Sequence, residues 1–278
     1  MIWPAGGQRP AKAPVEMTFY RYPGETVILA LTIILVLAVV LIAAAPTICL
    51  LPLAILVFTG LAYQMNQSHH RELIQHAEKV TPQSAPQLAA LAQLCADRLR
   101  PEPFELYVVP SRQVNAYTFG FSNPRVVVLY SAITRLMDPG ELRFILGHEV
   151  GHIALNHTWL NTLLGGMAGI PPSFGAAIIL TFAFRWWNRA CEFSADRAGL
   201  LACGSLEKAT SALVKLVAGD VRSQAELERA LQVIDAEDDS PLNVLASSLS
   251  THPMLIRRIE ELRKYAASAE YQALAKAM

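Results

Sequence analysis

The chemistry begins at His148-Glu149-Val150-Gly151-His152, inside the stretch Asp138–His157, DPGELRFILGHEVGHIALNH. Side chains four residues apart share one face of a helix, so a helical reading sets His148 and His152 side by side. Two neutral imidazoles in that register can hold one zinc ion, and Glu149 can reach a water bound to it. The helix start is well marked. Asp138 suits the N-cap, Pro139 the first helical position, and Glu141 completes a capping-box pattern. Standing alone, the five-residue pattern is a moderate signal, and a helix with two surface histidines is the lesser alternative.

A zinc hydrolase needs a third protein ligand and an open corner for water. The stretch Asn188–Gly199, NRACEFSADRAG, offers one. Glu192 and Asp196 would share a helix face. Glu192 can complete a His, His, Glu set, and Asp196 can accept a hydrogen bond from the far nitrogen of a ligand histidine. By itself such a pair is usually a solvated face. Here it follows His152 by 40 residues, across a segment broken by glycines and prolines that can return the chain. Two other zinc readings fail. The metzincin pattern wants a histidine where Thr158 stands and a glycine where Leu155 stands. An intramembrane protease would bury the motif in a span, but Glu141 and Arg143 precede His148 by less than two turns.

The elements that must position these residues divide the chain. Its 278 residues allow one or two domains and a full core. The 23 basic and 23 acidic side chains balance, so nothing points to nucleic acid or a polybasic membrane patch. The apolar content of 53% is above the ordinary soluble range and is concentrated in runs. Cys49, Cys95, Cys191 and Cys203 form no CxxC pair, so no disulfide framework is expected and a reducing compartment fits.

Residues 1–26 read as an irregular leader, and Val27–Tyr63 holds no charged residue. As one helix that run would be roughly 55 Å long, against a hydrocarbon core of about 30 Å. Pro46 and Pro52 fall in its middle, so a transmembrane hairpin is expected over 27–64, with spans at about 27–44 and 48–63. One span plus an interfacial segment is the alternative. Arg9, Lys12 and Arg21 before the run, and Arg71 and Lys79 after it, suit a hairpin with both ends in the cytoplasm. Residues 65–100 read as an amphipathic helical connector, with Leu88, Leu91, Leu94, Cys95 and Leu99 at helical spacing.

Residues 101–278 would form the catalytic domain. Glu105–Val109 and Arg125–Tyr130 read as strands, with Val114–Phe121 between them, and three short strands would make a small sheet ahead of the zinc helix. An exposed edge there could align an extended peptide as an added strand; a hairpin that only packs is the alternative. A second uncharged run, Thr158–Phe184, is interrupted by Gly165, Gly166, Gly169, Pro171, Pro172 and Gly175, and Arg185, Trp186, Trp187 and Arg189 follow it. Residues 158–187 therefore read as a membrane-associated hairpin, with a pair of thin spans or a buried core hairpin as alternatives.

Taken together, His148–His152, Glu192-Phe193-Ser194-Ala195-Asp196, Asn115-Ala116, and Ser250-Thr251-His252-Pro253 followed by Arg258-Ile259 resemble the HtpX-type branch of the membrane zinc metallopeptidases. That family also includes the CAAX prenyl endopeptidase. The resemblance covers residues 104–262. It implies an α+β fold: a mostly helical, gluzincin-like zinc metallopeptidase domain with a small β-sheet, behind an N-terminal transmembrane helical hairpin. It also implies one zinc ion held by His148, His152 and Glu192, with Glu149 as general base and Asp196 behind a ligand histidine. His252 and Arg258 become candidates for the oxyanion, and Asn115 and Ala116 for offering backbone to substrate. Met254 departs from the pattern, standing where relatives often have a second proline.

The expected partners are protein or peptide substrates and a lipid bilayer, with no nucleic acid; the oligomeric state is not legible. The expected location is a bacterial plasma membrane, with the catalytic domain facing the cytoplasm. The leading functional reading is a membrane-bound zinc endopeptidase acting in membrane-protein quality control. A narrow-specificity processing protease would carry the same residues. A non-catalytic scaffold or chaperone would be expected to lack a ligand or Glu149, and all four residues are present.

Overall fold

The uncharged run folds as two helices, α1 over Glu25–Ala44 and α2 over Leu50–Gln75. They belong to a computed structural model that describes residues 20–44, 50–120, 124–158, 175–218 and 252–277. The expected turn around Pro46 and most of the 1–26 leader lie outside those residues. Helix α2 runs past the expected end near residue 63, because Gln64–Gln75 contains no glycine or proline to stop it. Among the described residues, no helix is long and apolar enough to cross a membrane. Yet α1 leaves large apolar side chains in the open, with Ile34 at 62%, Leu41 at 70% and Ile42 at 74% exposure.

The 65–100 connector is not one helix. After α2 the chain forms a two-residue strand β1, Glu78–Lys79, and then helix α3, Pro86–Leu99. Pro82 lacks the N–H that a continuing helix would need. Thr81 and Ser84 then exchange reciprocal hydrogen bonds, each backbone N–H donating to the other's hydroxyl at 3.0 Å. The amphipathic pattern from Leu88 to Leu99 is that of α3 alone. Its Ala89, Ala92, Cys95, Ala96 and Leu99 are buried.

Three further strands follow: β2 (Phe104–Val109), β3 (Ala116–Phe119) and β4 (Arg125–Tyr130). The sheet order is β1-β2-β4-β3. Strands β2 and β4 run parallel, while β3 lies antiparallel on β4 and forms one edge. Alternation along β4 sorts its side chains. Val127 and Leu129 enter the main core, whereas Val128 joins Val109 and Phe119 on the other face, where Leu73 and Ile74 of α2 cover them.

Helix α4 (Ser131–Leu136) leads into α5 (Pro139–Ala154), which carries the histidine motif. The expected capping box is present: Asp138 Oδ1 accepts from the Gly140 and Glu141 amides, and Glu141 Oε2 accepts from the Asp138 amide. Glu141 is itself buried and is satisfied by Ser211 and Lys215, at 2.5 and 2.8 Å, from α7 (Leu206–Ala218). Asn156, in the left-handed region at φ 62°, ends α5 and turns the chain back beneath it.

The long helix α6 (Gly175–Cys203) lies against α5, and α8 (His252–Ala266) and α9 (Ala269–Ala277) close the order. Most of the expected 158–187 hairpin lies outside the described residues. Its end, from Gly175, is continuous with the helix that carries Glu192. The α5–α6 contact is made of small residues. A Cβ on Gly147 would meet Ala202 Cβ at 2.4 Å, and one on Gly151 would meet Ala198 Cβ at 2.5 Å. Only glycine at these two places lets the helices approach this closely, and that approach sets the spacing of the side chains between them.

Candidate metal centre

One turn of α5 separates His148 from His152, and both rings are buried against α6. Their Nε2 atoms stand 3.2 Å apart. Glu192 reaches across from α6, with Oε2 3.6 Å from His148 Nε2 and Oε1 3.6 Å from His152 Nε2. The outer nitrogens decide the tautomers. His148 Nδ1 lies 3.0 Å from Asp196 Oδ1, so it carries the proton and donates. His152 Nδ1 lies 3.0 Å from His157 Nδ1. With His152 donating there, both Nε2 atoms present bare lone pairs to the Glu192 carboxylate.

Two lone pairs and an anionic oxygen turned toward one point repel one another unless a cation lies between them. Two donors about 2.05 Å from a tetrahedral zinc would be about 3.3 Å apart, close to the spacing seen here. The N, N, O donor set is also one that zinc accepts. The residues present therefore fit the ion.

Glu149 lies beside this point without being turned into it. Thr118 Oγ1 of β3 donates to Glu149 Oε2 at 2.6 Å. The cavity in front, of about 330 Å³, is lined by Ala116, Thr118, His148, Glu149, Glu192 and Arg258 among others. Burial pushes the Glu149 pKa up, and the nearby His148 charge and the Thr118 hydrogen bond only partly offset it. Burial also drives His152 well below its ordinary range, and any positive charge on the neighbouring His148, His157 or Arg258 would add to that. For His148 burial acts downward too, but the bond to Asp196 and the Glu192 and Asp196 charges outweigh it, and its basicity rises. Burial would raise Asp196, yet the Arg258 charge and hydrogen bonds prevail and keep it low.

Arg258, brought in by α8, is directed at the carboxylates. Its Nε and Nη2 donate to the two Asp196 oxygens at 2.7 Å each, and Nη1 lies 3.2 Å from Glu192. That fork steadies Asp196 and Glu192. His252 opens α8, but its side chain lies outside the described residues. Asn115 is exposed just before β3, and its carbonyl accepts from the Tyr130 amide at 3.0 Å. Ala116 lines the cavity. Sequence reasoning missed Thr118 and gave no role to His157 or Glu25. The signal for Thr118 was strand alternation, which sets it two residues beyond Ala116 on the same face of β3.

The pattern of peptidase family M48 matches residues 82–266. The chain is similar to the plastoglobule-localized metallopeptidase 48 of Arabidopsis thaliana chloroplasts, 33% identical over 199 residues, which cover 65% of this chain and 57% of that protein. The chain thus spans little more than half the length of this plant relative. It is also similar to a protease HtpX homolog of Moorella thermoacetica, 29% identical over 228 residues and covering 68% of this chain and 75% of that one. An HtpX homolog of Methanosarcina mazei is 27% identical over 252 residues, which cover 76% and 84% of the two chains.

Proposed function

The chain belongs to peptidase family M48 as an HtpX-type metallopeptidase, and from that premise we propose that it is a membrane-bound, zinc-dependent endopeptidase. One observation carries the reading: His148, His152 and Glu192 offer three ligand atoms within 4.8 Å of one another, with Glu149 next to them. When bound, the ion would supply a Lewis acid and lower the pKa of a water toward about 7. Glu149, held by Thr118, takes a proton from the attacking water and delivers it to the leaving amine nitrogen. Asp196 holds the His148 ring, and Arg258 holds Asp196 and Glu192 in turn. The edge strand β3 presents backbone to an extended peptide, and Ala116 and Thr118 bring that edge to the cavity.

Membrane attachment is the second half of the proposal. Side chains such as Val27, Leu31, Ile34, Leu37, Leu41 and Ile42 stand exposed along α1, and water is a poor solvent for so continuous an apolar surface. Residues 27–64 then serve as a membrane hairpin, and the basic residues flanking it favour a cytoplasmic catalytic domain at a bacterial plasma membrane. Glu25, the first residue of α1, sits 3.1 Å from His157 and so lies close to the zinc ligands. A centre at the root of a membrane helix favours substrates presented at the bilayer surface, as in membrane-protein quality control.

The test is zinc content together with casein cleavage, for the native chain and for Glu149→Gln. One zinc per chain is expected in both, with cleavage lowered about 10²–10⁴-fold in the variant. Equal cleavage by the two would remove Glu149 as the base.

A further inference from the structure

The two ligand histidines are oriented by different means, and the second of these reaches outside the peptidase helices. His148 meets a carboxylate directly, but His152 meets another imidazole. The left-handed turn at Asn156 folds the chain back so that His157 Nδ1 faces His152 Nδ1 at 3.0 Å. His157 is fully enclosed, and its other nitrogen, Nε2, lies 3.1 Å from Glu25 Oε1. Glu25 is 1% exposed. Arg21 pairs with its Oε1, and the Ser194 hydroxyl donates to its Oε2.

The proton positions along this row follow from its ends. Glu25, paired with Arg21, is an acceptor, so His157 Nε2 carries the proton. A neutral His157 then has a bare Nδ1, which can only accept. His152 must therefore donate from Nδ1, which leaves its Nε2 lone pair directed at the point shared with His148 and Glu192. Any other neutral arrangement sets two lone pairs or two N–H groups against each other inside the protein.

We propose that Glu25 and His157 are positioning residues for the metal centre: the carboxylate at the root of α1 fixes the tautomer and ring orientation of His152 through His157. This rests on the zinc reading above and adds a regulatory consequence. The segment that docks α1 is also what prepares His152, so seating of the apolar helix and assembly of a competent zinc site are one event. The same segment is fastened further by Arg21 Nη2 donating to the Leu155 carbonyl at 3.0 Å and by the Tyr22 amide donating to Ser194 Oγ at 2.7 Å.

Glu25, His157 and Cys191 also place ligand atoms within 4.8 Å of one another, which raises a second metal site as the rival explanation. The charges favour the relay. Arg21 already supplies a cation at the same Glu25 oxygen that faces His157, and Ser194 occupies the other oxygen, so a metal would have to displace both.

The experiment is zinc competition against a chelating dye, using the full chain in detergent micelles, with thermal unfolding of the metal-free forms alongside. Glu25→Gln and His157→Phe should each bind zinc about 10–100-fold more weakly than the native chain. Cys191→Ser, whose Sγ lies within 4.8 Å of the Glu25 and His157 ligand atoms but shares none of the row's hydrogen bonds, should bind as the native chain does. Cobalt-loaded His157→Phe should show shifted visible absorption bands while its metal-free midpoint stays within about 4 °C of native, which a merely structural loss would not produce. Glu25→Gln keeps the side chain's shape and carries the test alone if His157→Phe does not fold. Native-like zinc affinity in Glu25→Gln overturns the proposal while leaving the zinc site standing. Two zinc ions per native chain, one of them lost in Cys191→Ser, overturns it in favour of a second metal site. A native chain that binds no zinc removes the functional reading and this inference together.

Discussion

The supports of the two histidines make an instructive pair. His148 rests on Asp196, four residues beyond Glu192 on the same helix, with Arg258 gripping that carboxylate from a third helix. His152 rests on His157, and through it on Glu25, 132 residues earlier in the chain. The first support is internal to the peptidase helices and can form whenever they pack. The second needs the first turn of α1 to be in place. The difference teaches that one zinc site can be half scaffold and half sensor of how its domain is seated.

The heaviest blow to the first support is Asp196→Asn. It leaves the Arg258 guanidinium paired with Glu192 but no longer with a second carboxylate, which costs about 1.5–3 kcal/mol, and it sets a neutral amide in place of the carboxylate that faces His148 Nδ1. Denaturant unfolding should show that loss, and zinc affinity should fall about 10–100-fold. Both effects appear whether or not α1 is seated. If Asp196→Asn left stability unchanged, the supposed asymmetry between the supports would collapse.

Gly151→Ala should strike both supports at once. Its Cβ would come within 2.5 Å of Ala198 Cβ and force α5 away from α6, at a cost of about 1–3 kcal/mol. Thermal unfolding and zinc affinity should fall together in this variant.

Thr118→Val touches neither support. The hydroxyl that holds Glu149 is lost, so kcat should fall about tenfold, while zinc affinity and stability stay near native. A matching loss of zinc would mean that Thr118 acts through the ligands instead.

The smallest effect belongs to Asp138→Ala, at the helix start, worth about 1 kcal/mol. Burial opposes the charged form of Asp138, but the Lys208 hydrogen bond and the Glu141 and Gly140 amides prevail, so its folded pKa is depressed. Its contribution is therefore complete above the ordinary value of 3.8 and is lost as pH falls through the folded value. The gap in stability between Asp138→Ala and native should narrow only in that acidic window.

What was legible in the sequence was local. His148 and His152, or Glu192 and Asp196, are brought together by helix geometry alone, and Asp138 with Glu141 announces itself within four residues. The strands at Phe104–Val109 and Arg125–Tyr130 stood out because they are rich in β-branched and aromatic residues. Strand β1 did not, because two residues carry no period and Glu78–Lys79 form a strand only by pairing with Tyr107 and Val108. The relay was invisible for a different reason. Glu25 fell within the 1–26 stretch expected to be irregular, and His157 stands one place short of the metzincin histidine position that Thr158 occupies; only the fold brings them within 3.1 Å. Arg258 was expected at an oxyanion from resemblance alone, whereas its contacts to Asp196 depend on α8 meeting α6.

The most direct test of the central claim is the zinc content of the purified full chain beside that of Glu192→Ala. Convergence of two imidazoles and one distant carboxylate on a single ion predicts one zinc per native chain and loss of most of it in the variant after mild dialysis against chelator. Zinc retained equally by both would contradict it.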